Sequence, residues 1–497
     1  MSNFSSAIRI TNLDDFIPQS QSCIKPVKLD NKPIPTSESS KHTIEFDEQS
    51  NTYYEISLAG EKKELEKTSI SLSDCLACSG CITSAEEVLV NHQSLDRLLK
   101  ELKERSSDEV WILTLSSQSR ASLASKYGLN MEQVFGKIMT ALKNVIGFDY
   151  VFDANWARNF TLLEIQDEFL KRKQQQLNAP KNALPNLPLL ASSCPGWICY
   201  AEKTQDEDIV GLISSTKSPQ AVMGSLVKGY FYEKELKPKG VELKNVRHIT
   251  VMPCFDKKLE ASRGEFKTPI DSQETDLVLT TTELDELFQH HNVHLKELEE
   301  QPLNSSFIDR DEKTGKLRGI AGGSGGYAES IFRMAAKKLY NVEVGQIEKK
   351  QKRNSDFQEF SLKVDGKVVL SFAQAYGFRN IQNIIRKIQH KNPRLRCKYD
   401  FVEVMACPSG CNNGGGQIAA DPEKMNPRKQ LEQVEELYHS VQLDQSMQDV
   451  DQAPTSIREG YQHWVQDSVG SQKSQGLLHT TYRNKNQMET PALREEW

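Results

Sequence analysis

Glu403-Val-Met-Ala-Cys407-Pro-Ser-Gly-Cys411-Asn-Asn-Gly-Gly-Gly416 is where the fold becomes legible. The stretch Asp400–Met405 predicts a strand that ends at Cys407. Gly410 and Gly414-Gly-Gly416 remove side chains, so backbone can turn and come close to a bulky group. Pro408 fixes the chain after Cys407 and removes an amide. Two more cysteines arrive in the same way. Leu187-Pro-Leu-Leu-Ala191 reads as a strand leading to Cys194 in S-S-C-P-G-W, and Val246–Met252 as a strand delivering Cys254 in V-M-P-C-F-D-K-K-L-E. In open α/β sheets ligands bind at the carboxyl ends of the strands. Cys194, Cys254, Cys407 and Cys411 are therefore expected to converge on one crevice.

Eight of the ten cysteines fall into two such quartets. The other is Cys23 with Cys75, Cys78 and Cys81, the last three written C-L-A-C-S-G-C. Thiolate is the soft ligand that iron clusters require, and four close a cubane. Zinc is the main rival, but structural zinc usually takes two separated C-x-x-C pairs, whereas three cysteines at a three-residue repeat match part of a ferredoxin pattern. Cys199 and Cys397 lack such surroundings and are read as small core residues. Lys257-Lys258 is read first as a solvated face. Gly322-Gly-Ser-Gly-Gly326 fits neither common phosphate-binding glycine pattern and is read as the turn that opens a helix.

The 497 residues carry a net charge of −6 and are 37% hydrophobic. That balance gives no reason to expect nucleic acid or an anionic membrane as partner, and no apolar run is long enough to span a bilayer. The start lacks a secretory or mitochondrial signature, so a reducing compartment is expected, where clustered cysteines bind metal or react. Residues 41–70 read as a short hairpin or linker. From about 108 onward strands alternate with helices, at 110–115, 131–146, 149–153, 276–281 and 282–291. A helix starting near Ser218-Pro219 puts Val222, Leu226 and Tyr230 on one face. Residues 171–186 read as a linker or insertion. Asp365-Gly366 marks a hairpin between Phe357–Val364 and Lys367–Phe372, helices are expected over 379–390 and 422–441, and the tail from 442 is polar. The fold class is α/β with a largely parallel sheet, and size favours two lobes. Boundaries are placed at 1–105 (N-terminal arm and cluster segment), 106–420 (two-lobed region) and 421–497 (C-terminal helical and tail segment).

S-C-P-G-W, M-P-C-x-x-K-x-x-E and E-x-M-A-C-P-x-G-C-x-x-G-G-G resemble the three signature segments of iron-only ([FeFe]) hydrogenases. The chain is more similar still to their eukaryotic non-hydrogenase relatives, the cytosolic iron–sulfur assembly factors, also called nuclear prelamin-A recognition factor-like proteins. The resemblance runs from Cys23 to Leu477-Leu-His-Thr-Thr-Tyr482. It implies a two-lobed iron-only-hydrogenase-like fold with parallel-rich sheets and a small N-terminal iron–sulfur segment, with two [4Fe–4S] clusters, one in that segment and one between the lobes. Met252, Lys257 and Met405 match hydrogenase positions that line the diiron half of the active-site cluster, and Cys411 matches the cysteine bridging to it. Ser193 stands where hydrogenases carry a proton-relaying cysteine, and a hydroxyl is a far weaker acid than a thiol. The resemblance thus implies a non-catalytic assembly factor without the diiron group, located in the cytoplasm with the nucleus left open. Such a factor receives clusters from an upstream scaffold and passes them to apoproteins through a targeting complex, with Glu496 and Trp497 as a docking tail. The alternatives are a hydrogenase or other redox enzyme using the central cluster, and an oxygen or redox sensor.

Overall fold

The computed structural model describes residues 90–484 except 91, 179–185, 304, 306, 320–323, 353, 393, 422–424 and 444–449, together with five short strands between 24 and 69. The chain forms two compact units, Met1–Glu87 and Val88–Trp497. The strands of the first are Ile24–Pro26 (β1), Thr43–Asp47 (β2), Thr52–Ile56 (β3), Lys62–Leu65 (β4) and Lys67–Ser69 (β5). β2, β3 and β4 make an antiparallel meander and β1 pairs with β5. The hairpin expected in 41–70 is part of that meander.

The second unit contains the strands Val110–Leu115 (β6), Tyr150–Asp153 (β7), Leu189–Ala191 (β8), Val246–Met252 (β9) and Leu277–Thr280 (β10). They are followed by Arg318–Gly319 (β11), Lys350–Gln351 (β12), Phe357–Val364 (β13), Lys367–Tyr376 (β14), Phe401–Met405 (β15) and Gln442–Leu443 (β16). Two sheets dominate. One is wholly parallel in the order β10-β9-β6-β7, and the other runs β12-β13-β14-β15-β8, with β14, β15 and β8 parallel. Strands of a parallel sheet are covered on both faces and so read as unbroken apolar runs. Leu113 and Val251 face Phe135, Ile138 and Phe288 on one side of the first sheet. Ile112 and Phe152 face Trp156, Phe160 and Phe307 on the other, where the expected Val222, Leu226 and Tyr230 stripe is also buried. In the second sheet Val402 and Val404 pack on Trp197 and Ile381, while Leu189 and Phe372 pack on Tyr327 and Phe332. This is the two-lobed α/β architecture expected. The Asp365-Gly366 turn has both residues at positive φ, 51° and 74°, which the right-handed twist of the flanking strands favours.

Three expectations are corrected. Residues 171–178 are the end of a 25-residue helix, Ala154–Asn178. Lys, Arg, Gln and Leu are good helix formers even without an apolar stripe. The described part of the polar tail, residues 450–484, is packed rather than free, since Ile457, Tyr461, Val465 and Leu478 are buried against the first lobe. Lys257 and Lys258 are buried, not solvated, because each finds a carboxylate partner, Glu260 and Glu283. No helix among the described residues is long and apolar enough to cross a membrane.

Candidate metal centre

Each cysteine of the second quartet is set by a strand end. Cys194 lies just past β8 and caps the helix Pro195–Thr204, whose proline occupies the first helical position, where its missing amide costs nothing. Its amide donates to Ser192 Oγ at 3.0 Å, and that hydroxyl donates to Val404 O of the neighbouring β15 at 2.5 Å. Cys254 follows β9 and precedes the helix Asp256–Ala261. Cys407 follows β15, and Ser409 and Gly410, both at positive φ, turn the chain so that Cys411 faces back. Cys194 and Cys407 thus follow adjacent strands of one sheet, with Cys411 in the loop after the second, and Cys254 follows a strand of the other sheet. Delivery from strand ends was expected; the division between two sheets was not.

All four thiols are free and share one neighbourhood. Burial pushes the Cys254 thiol well above its ordinary value, and Asp256, Cys411, Cys194 and Cys407 push it further. Cys407 is raised by burial and then by Cys194 and Cys411. Burial, followed by Cys194, takes Cys411 up to about 12, and burial takes the Asp256 carboxyl up to about 6. Among the described residues no group of three or more His, Cys, Asp or Glu side chains is arranged to hold one metal ion. Cubane thiolates bind four separate irons and stand farther apart than the ligands of a single ion. The loops that carry the thiols pack against each other as closely as glycine allows. A Cβ on Gly414 would stand 2.3 Å from Pro253 O, and one on Gly196 would stand 2.6 Å from Asp256 Oδ2. The donor set and these close-packed glycine loops fit a four-thiolate cluster.

A cavity of about 50 Å³ adjoins Cys411 and is lined by Ser193, Met252, Lys257, Arg158 and Tyr327 among others. Met405 lies next to it, its sulfur 3.8 Å from Ser193 Oγ. Lys257 Nζ is engaged by both Glu260 oxygens, at 2.9 and 3.0 Å, and by Ser218 Oγ at 3.0 Å. Burial pushes the Tyr327 hydroxyl above its ordinary range, with Arg158 and the nearby Ser193 hydroxyl pulling the other way. Cys199 and Cys397 are half-buried and not fully in the core. Cys23, Cys75, Cys78, Cys81, Glu496 and Trp497, with Gly322 and Gly323, lie outside the described residues.

Sequence reasoning assigned no role to Glu403, although it opens the decisive motif. Its buried carboxylate accepts from the Gly325 and Ala328 amides at 3.1 and 2.8 Å and from the Tyr376 hydroxyl at 3.1 Å. It therefore ties the Cys407 strand to the start of the helix Tyr327–Tyr340, where the helix dipole favours an anion. An acid among buried strand residues was the available signal.

Comparison with known proteins agrees with this geometry. The sequence model of the iron only hydrogenase large subunit, C-terminal domain, matches residues 109–415. The chain is 45% identical over 490 residues to a protein of Xenopus tropicalis named cytosolic Fe-S cluster assembly factor narfl, covering 97% of each. It is also 45% identical to cytosolic iron-sulfur assembly component 3 of Rattus norvegicus, again over 97% of both chains. Among solved structures, a single-residue variant of the [FeFe]-hydrogenase HydA1 from Chlamydomonas reinhardtii superposes with a TM-score of 0.64 at 27% identity, covering 79% of this chain and 99% of that one. The chain belongs to the cytosolic iron–sulfur assembly factor family, built on the iron-only hydrogenase fold.

Proposed function

We propose that this chain is a non-catalytic component of cytosolic iron–sulfur protein assembly that binds two [4Fe–4S] clusters. Cys194, Cys254, Cys407 and Cys411 hold a resident cluster between the lobes, and Cys23, Cys75, Cys78 and Cys81 hold an exchangeable one. Clusters are cargo received from an upstream scaffold and passed to cytosolic and nuclear apoproteins by way of a targeting complex, on which Glu496 and Trp497 dock. The observation that carries the reading is the set of four free, mutually close thiols at strand ends of both sheets, in a chain whose relatives are named for assembly. Ser193, beside the cavity, speaks against turnover, since a hydroxyl is a poor proton donor compared with a thiol.

A local triplet joined by a distant cysteine should release its cluster more readily than ligands enclosed by two sheets. Cys78→Ala should abolish delivery of iron and sulfide to an apoprotein in an anaerobic transfer assay while about four irons stay bound. Retained delivery, or loss of all iron, would contradict the assignment. The hydrogenase-like fold supports one second reading, a redox enzyme. Hydrogen evolution by the wild type with a low-potential donor would establish it over the first.

A further inference from the structure

The helix Pro195–Thr204 starts at Cys194 and the helix Asp256–Ala261 just after Cys254, and they rise from different sheets. Their starts are in close contact, as the Gly196–Asp256 approach indicates. Their far ends are joined by a fork. Arg263 Nη1 and Nη2 donate to the two oxygens of Glu202, each at 3.0 Å. The Glu202 side chain is 2% exposed and that of Arg263 is 14% exposed. Glu265 also accepts from Arg263, at 2.8 Å.

A third element closes over the pair. The Arg263 guanidinium lies 5.4 Å from the Tyr482 ring centroid, and the Arg483 amide donates to Glu202 at 3.3 Å. The chain leading there is fastened in turn. Thr480 N donates to Ser215 O at 2.7 Å and Lys217 N to Leu478 O at 2.8 Å. His479 bridges Ser215 Oγ at 2.8 Å and Glu164 at 3.0 Å.

We propose that Glu202, Arg263 and Tyr482 form a clasp that holds the Cys194 and Cys254 helices together and sets how slowly the group between them is lost. The proposal rests on the reading that those cysteines hold a cluster. A group ligated from both sheets leaves more readily if the ligand-bearing helices part, and parting them breaks a two-pronged, largely buried pair. None of the three residues is a cluster ligand, so each is a positioning residue. The tail thereby acts on the crevice without entering it.

The test uses the full-length chain carrying Cys78→Ala, so that only the central cluster is observed. Its anaerobic loss to an iron chelator is followed by visible absorbance, alongside a urea melt. Glu202→Gln and Arg263→Ala should each speed loss by ~10- to 100-fold, and the double variant no more than the worse single one. Glu202→Asp, which keeps the charge, should restore slow loss in part. Tyr482→Ala removes only a half-buried ring, so it should still fold and should speed loss by about threefold or more. Loss within about twofold of the parent in Tyr482→Ala and in whichever pair variants fold would overturn the clasp and leave a purely structural ion pair. A Cys78→Ala parent that binds no iron would overturn the underlying cluster reading, and iron content before chelation separates that outcome from the former.

Discussion

His248 is buried on β9, the strand that delivers Cys254, and its ring is held on both sides. Nδ1 faces Glu274 O at 3.1 Å and Nε2 faces Thr114 Oγ1 at 2.9 Å. A carbonyl only accepts, so Nδ1 carries the proton and Nε2 accepts from the threonine. Burial, reinforced by Lys228, holds the imidazole down to about 3 from its usual 6.5, against the pull of the Glu274 bond. The unfolded chain therefore binds a proton here between about 6.5 and 3 that the native chain refuses. The neutral ring's full contribution is present above that window and is lost as pH falls through it, at no more than about 1.4 kcal/mol per pH unit. Urea melts between pH 7 and 5 should show a steeper decline for the wild type than for His248→Gln. Equal slopes would contradict this account of the residue.

The Cys411–Gly416 loop owes its shape to the absence of side chains. Gly416 N donates to Pro253 O at 2.9 Å, and a Cβ on Gly414 would collide with that same carbonyl. Gly414→Ala should cost about 1–3 kcal/mol in a urea melt and lower the iron retained after desalting. Wild-type stability and iron content would show that the loop can yield. The strand ends that carry the cysteines were readable because buried parallel strands are written as short apolar runs, so Val246–Met252 was located to the residue. Other features depend on partners remote in sequence. Buried Lys258 is paired with Glu283 and also donates to Gln93 O, 165 residues away, at 2.6 Å, and nothing adjacent to Lys258 announces either partner. The Glu202–Arg263 fork spans 61 residues and was equally silent. The helix Ala154–Asn178 was not named from the sequence, and its end at 171–178 was read as linker because the chain there offers helix propensity without an apolar stripe.

At the scale of the molecule, two sheets present their carboxyl edges to a common crevice, and loops from both close around four thiols. The chain has the hydrogenase fold, and Ser193 lines the small cavity beside the thiols together with Met252 and Lys257, which match hydrogenase positions. In the proposed reading the chain uses this frame to hold a cluster, and Ser193, where hydrogenases carry the proton-relaying cysteine, is the departure that speaks against hydrogen evolution. The central claim is two plain cubanes and no diiron group. The most direct test is anaerobic quantification of iron and acid-labile sulfide per full-length chain, joined to infrared spectroscopy of the same sample. The account predicts about eight irons and about eight sulfides with no carbonyl or cyanide bands. Such bands, or an iron content of about four in the fully reconstituted wild type, would contradict it.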